Sequence, residues 1–170
     1  MTKRVGATVV SLVAMVAAYL VFAAVAAPGP PAPINGTFFK GPAVGGRDRF
    51  VGQNVLQVRG EKGFGSLEGG VLTGSAEYTI DQEIVNFVGG IGTLHAHIAV
   101  TTGDGSVITL HLTGFTSGVS PTAETVTVTG SWVIVSAVGP SAPLQGEGQF
   151  TGVEEFQTGV TNGAFSGLIH

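Results

Sequence analysis

Three histidines are the residues whose spacing comes nearest to spelling out chemistry. His95 and His97 stand two apart in the run Thr93-Leu94-His95-Ala96-His97-Ile98-Ala99-Val100-Thr101, and His111 stands in Ser106-Val107-Ile108-Thr109-Leu110-His111-Leu112-Thr113. Both runs alternate polar with apolar residues, the period of a half-buried strand, and residues i and i+2 of a strand share a face. Between them lies the turn signal Thr102-Gly103-Asp104-Gly105. A two-residue Asp104-Gly105 loop would set His97 opposite Leu112 and Ile98 opposite His111, mixing polar and apolar side chains on each face. A three-residue Gly103-Asp104-Gly105 loop, with glycine free to take a left-handed bulge position, pairs His97 with His111, His95 with Thr113 and Ile98 with Leu110. This second register segregates the faces and is the one expected.

The expected register gathers three imidazoles. Three nitrogen ligands with a fourth position left to water or substrate are what an open zinc or copper site requires. His95, His97 and His111 are therefore the candidate metal ligands, and a metal-dependent enzyme with a three-His site is one functional reading. Such a site also wants a carboxylate or carbonyl behind each ring, and Asp104 at the turn tip lies too far along the hairpin to serve. The plainer reading is a solvated, Thr-rich face that carries three histidines and no cofactor. Leu94, Ile98, Val100, Ile108, Leu110 and Leu112 would then form the core on the other side.

The remaining chemistry-bearing residues offer less. Asp81 and Glu83 share a face if the chain is extended there, but a glycosidase-like carboxylate pair needs a defined separation across a cleft. Glu154-Glu155 reads as an exposed edge or turn, and Arg47-Asp48-Arg49 as local charge pairing at the surface. The chain contains neither a Gly-x-Ser-x-Gly elbow nor a glycine-rich loop ending in Lys-Ser/Thr. Gly89-Gly90-Ile91-Gly92 precedes a strand pattern and so reads as a turn, not as a dinucleotide fingerprint. No residue is assigned a catalytic role, and the balance favours a protein that is not an enzyme.

The elements that would position these residues read as short strands throughout. Period-two runs punctuated by glycine cover Phe50 to Arg59, Phe64 to Leu72, Ser75 to Ile80, Ile84 to Val88, Gln145 to Phe150 and Gly163 to Ile169, besides the histidine hairpin. In Glu124-Thr125-Val126-Thr127-Val128-Thr129 the valines face one way, and the count places Trp132 and Ile134 with them. Val133 and Val135 make the other face apolar as well, which suggests a bulge near Gly130 or cover on both sides. No helix-period pattern lies between the runs, which excludes parallel α/β folds. The fold class expected is all-β: an antiparallel up-and-down barrel of about eight strands over residues 45–170.

The chain has 170 residues, with 28 Gly, 8 Pro and no Cys, so disulfide staples and thiolate metal sites are excluded. Lys3 and Arg4 precede an uncharged apolar stretch from residue 5 to 27 that ends in Ala24-Val25-Ala26. This order of basic, apolar and small residues is that of a signal peptide over residues 1–26, although the apolar stretch is long enough to be a membrane anchor helix. Either reading gives an extracytoplasmic barrel, secreted or held by an N-terminal helix, whose contact with membrane is limited to residues 5–27 if they stay uncleaved. Residues 27–44, opening with Pro28-Gly29-Pro30-Pro31-Ala32-Pro33, read as a Pro/Gly-rich spacer. Without the leader, five basic residues face eleven acidic ones, so nucleic acid is not an expected partner. A transmembrane β-barrel is not expected either, because the runs lack aromatic girdles.

A small phrase recurs: Gly36-Thr37-Phe38, Gly146-Glu147-Gly148-Gln149-Phe150-Thr151-Gly152 and Gly163-Ala164-Phe165-Ser166-Gly167. One ring flanked by glycines suits a barrel strand, since the ring fills the interior and glycine permits sharp coiling. Through the Gly-x-Gly-x-Phe-x-Gly phrase at residues 146–152, residues 50–169 resemble the allene oxide cyclase and dirigent group of eight-stranded barrels. The resemblance implies an up-and-down barrel with an apolar pocket, and it carries no catalytic residue onto a position of this chain. The function expected is an exported, non-enzymatic module that binds an apolar small molecule or serves a cell-surface structural role.

Overall fold

The computed structural model describes residues 29–170, so the apolar leader and its reading as signal peptide or anchor helix lie outside the described residues. Ten strands form one sheet: β1 (Ala32–Lys40), β2 (Arg47–Phe50), β3 (Val55–Arg59), β4 (Glu61–Glu68), β5 (Gly74–Asn86), β6 (Ile91–Thr102), β7 (Val107–Ser117), β8 (Thr125–Val138), β9 (Gly146–Glu155) and β10 (Val160–Ile169). All pairings are antiparallel. Strands β4 to β9 each pair with the next in sequence, β1 pairs with β4, and β1 also pairs with β10. The result is a closed eight-stranded barrel. Strands β2 and β3 form a hairpin that continues past the ends of β1 and β4, with β3 paired to the far half of β5. Closure removes the edges of the eight barrel strands, while β2, paired only with β3, keeps one edge open. No described helix is long and apolar enough to cross a membrane.

The spacer expected over residues 27–44 is corrected by β1. Its prolines sit where a strand tolerates them: Pro33 is the second residue of β1, at a level where the strand pairs only with β10. From Ile34 on, alternate residues face the core, and this strand closes the barrel. The two runs Ser75 to Ile80 and Ile84 to Val88 are a single strand, β5, interrupted by a bulge between Ile80 and Gln82. The bulge expected near Gly130 lies elsewhere. Gly130 pairs with Gly114 in register, and the shift falls where Thr109 and Leu110 face Ser136 and Ile134, leaving Val135 as the extra residue. Val133 and Val135 are exposed on the outer wall rather than covered on both sides.

The interior is built from rings laid across glycines. A Cβ on Gly163 would meet the Phe38 ring at 2.4 Å, one on Gly130 the Phe150 ring at 2.7 Å, one on Gly167 the Trp132 indole at 2.6 Å and one on Gly63 the Tyr78 hydroxyl at 2.3 Å. Each missing side chain makes room for a ring from another strand, so the recurring Gly-Phe-Gly phrase is a packing code. Leu72, Val100 and Ile108 are fully buried at the end of the barrel that carries the β6–β7 turn. Each contributes about 1.5–3 kcal/mol of burial. A separate cluster of Val85, Val119 and Val126, with Leu56, Phe87 and Phe156 against it, closes the opposite end.

Candidate functional site

Between these apolar ends lies a cavity of about 90 Å³ whose wall is almost wholly apolar, with Leu67, Ile98, Leu112, Val128, Phe150 and Phe165 among its lining. Polar groups meet it near the end capped by Val85 and Val126. Lys40, Thr161 and Glu154 are successive cross-strand partners on β1, β10 and β9, so one row of the sheet aims all three inward. The Lys40 ammonium donates to Glu154 Oε2 at 2.9 Å, and the Thr161 hydroxyl donates to the same oxygen at 2.8 Å. Lys40 also lies 5.4 Å from the centre of the Tyr78 ring. The Tyr78 hydroxyl donates to the Gly41 carbonyl at 2.8 Å, and burial, helped by Glu61 and Glu154, pushes it up to about 12.

Glu83 lines the same space, half-buried. Burial pushes its carboxyl up to about 7, and the negative charge of Glu154, Glu61 and Asp48 acts in the same direction against the opposing influence of Lys40. Near neutrality this carboxyl is poised between a proton donor and an anion. Glu61 is raised as well, first by burial and then by Asp48. Across the barrel, Thr116 Oγ1 is buried with no hydrogen-bond partner and sits against Gly92, where a Cβ would approach it to 2.2 Å. A buried polar atom without a partner is costly, which makes this hydroxyl a natural contact for a ligand or a water.

Two expectations about carboxylates are corrected here. Glu154 is not an exposed turn residue: it follows the inward parity of Gly148, Phe150 and Gly152, and the glycines of that phrase hid the parity from a hydropathy reading. Asp81 and Glu83 do not share a face. The bulge places Gln82 opposite His95 on the outside and Glu83 opposite Leu94 on the inside, while Asp81 remains outside. Nor do Arg47-Asp48-Arg49 pair among themselves by hydrogen bond; Arg49 Nε donates to Gln57 Oε1 at 3.0 Å.

The histidine hairpin has the expected register, with His97 opposite His111, His95 opposite Thr113 and Ile98 opposite Leu110. Its turn is held by Gly105 at φ 83° and by Asp104, which accepts hydrogen bonds from the Thr102 hydroxyl and the Ser106 amide. Those bonds, with a further one from Ser141, hold the exposed Asp104 carboxyl down at about 2. All three histidines lie on the outer wall. The rings of His97 and His111 stack with centroids 4.7 Å apart, and His95 is 6.4 Å from His111. Asp81 Oδ2 stands 2.5 Å from His97 Nδ1, a carboxylate contact that the sequence reading could not place without the bulge.

Neither a family model, nor a curated protein, nor a solved structure matches the chain. The cavity and the outer histidine cluster lie apart, one inside the barrel wall and one outside it.

Proposed function

We propose that this protein is an extracytoplasmic binding module whose barrel interior holds a small, largely apolar molecule bearing one polar group. The observation that carries the reading is the apolar cavity with an unpartnered Thr116 hydroxyl and the titratable Glu83 on its wall. Ligand sites commonly combine apolar walls with a few polar groups that fix orientation. At about 90 Å³ the cavity is smaller than the ~150 Å³ apolar cavity known to take a benzene ring, so the ligand is compact. The leader's order of basic, apolar and small residues supports export, and the likeness to allene oxide cyclases and dirigent proteins supports an interior pocket without transferring a reaction.

Native mass spectrometry of the full chain, produced in a cell that exports it and purified without denaturation, tests this reading. A retained small molecule of defined mass, displaced in Thr116→Val or Leu112→Trp, is the expected outcome. An apo mass combined with no binding across a library of small apolar alcohols, ketones and acids would overturn it and leave a structural role at the cell surface.

A further inference from the structure

We propose that Asp81, His97 and His111 form a site for a divalent transition-metal ion, with zinc the best match, on the outer wall of the barrel. One ligand atom from each residue lies within 4.8 Å of the other two. Ligand atoms around a tetrahedral zinc with bonds of about 2.0–2.2 Å stand roughly 3.3–3.6 Å apart, so seating the ion asks the widest pair to close by no more than about 1.5 Å and the Asp81–His97 contact to open by about 1 Å. Asp81 and His97 already touch, and the His97 and His111 rings stack across a strand pair. Two imidazoles and one carboxylate give the borderline N/O donor set that zinc accepts.

The sheet builds this set through one irregularity. In a regular β5 the residue after Ile80 would sit opposite His95, and Glu83 would follow it to the outside. The bulge inserts Asp81 between the pairs Ile80–Ala96 and Gln82–His95, leaning its carboxylate toward His97. Bulges re-aim side chains in this way and are enriched beside functional sites. The side chains of His97 and Asp81 are 46% and 41% exposed, so a metal held there keeps a solvent-facing position for water. His95, with its ring 6.4 Å from His111 and outside the group of mutually close ligand atoms, is a bystander. This separates the proposal from a three-His site.

The test is titration of the untagged full chain with Zn²⁺ against a competing fluorescent chelator, followed by Co²⁺ substitution read in the visible spectrum. Expected is one equivalent of zinc, at least tenfold weaker binding in Asp81→Asn, His97→Ala and His111→Ala, and binding within threefold of wild type in His95→Ala. The Co²⁺ form should give the strong absorption of a four-coordinate site, lost in Asp81→Asn. All four side chains lie on the outer wall, so unchanged thermal unfolding of the metal-free variants checks that each is folded. Less than a tenth of an equivalent bound would overturn the site. Wild-type affinity in Asp81→Asn, or a loss in His95→Ala equal to that in His97→Ala, would overturn the assignment of ligands.

Discussion

Replacing Lys40 by methionine tests whether the interior ion pair is held as the structure indicates. Methionine keeps the length and apolar character of the lysine stem, so the change removes little but the ammonium. Glu154 then retains only the Thr161 hydroxyl, in a region that also holds Glu83 and Glu61. Breaking a fully buried ion pair by removing one partner costs about 3–5 kcal/mol, because a charge is left uncompensated. Here the side chains of Lys40 and Glu154 remain 21% and 17% exposed, so water relieves part of that penalty and the expected loss is about 2–3 kcal/mol. Glu154→Gln alone should cost a similar amount. The double variant Lys40→Met/Glu154→Gln removes both charges of the pair and keeps an amide that still accepts from Thr161, while Glu61 and Glu83 lose the nearby cation and the nearby anion together, so it should recover to within about 1 kcal/mol of wild type. Urea unfolding followed by the fluorescence of Trp132, the only tryptophan and a residue inside the barrel, measures all four corners of the cycle. If the double variant is as unstable as the sum of the singles, or the singles each cost under about 0.5 kcal/mol, the pair is not a coupled interior contact and the reasoning fails.

Glu83→Gln should change the pH dependence of stability. The folded carboxyl titrates near 7 against an ordinary 4.5, so the fold holds a proton that the unfolded chain has released. Its contribution is complete below about 4.5 and is lost as pH rises from there through 7, a fall of at most about 3 kcal/mol and less to the extent that water screens the half-buried carboxyl, and thermal unfolding at pH 4.5, 6 and 8 should show most of this slope gone in the variant. Gly63→Ala drives a methyl group into the Tyr78 ring and should cost about 1–3 kcal/mol, whereas the same change in a Tyr78→Leu background should cost under about 0.5; equal costs in both would remove the ring-on-glycine account. Trp132→Ala should destabilise by about 3–5 kcal/mol and enlarge the cavity, so that the retained molecule is heavier or a benzene-sized probe now binds; a variant as stable as wild type would contradict the position of the indole. Asp104→Asn should lower the melting temperature at neutral pH and match wild type as pH falls through about 2, where the wild-type carboxylate takes up its proton.

What the sequence determined by itself was whatever rests on local periodicity and turn chemistry. Alternation in the two histidine runs, together with glycine at position 105, sufficed to fix the hairpin register, and with it the stacking of His97 on His111. The polar-out, apolar-in count along the valine strand likewise placed Trp132 inside. Phe38, Phe150 and Phe165 betrayed a barrel through the Gly-Phe-Gly phrase, whose glycines make room for rings from other strands. The tertiary structure alone decided the rest, because closure brings together residues remote in sequence. Lys40 meets Glu154 across 114 positions only when β1, composed like a linker, pairs with β10. A single extra residue in β5 shifts Asp81 from a place opposite His95 toward His97 and turns Glu83 to the cavity, and no local pattern announces it, because the shift exists only in the pairing of β5 with β6.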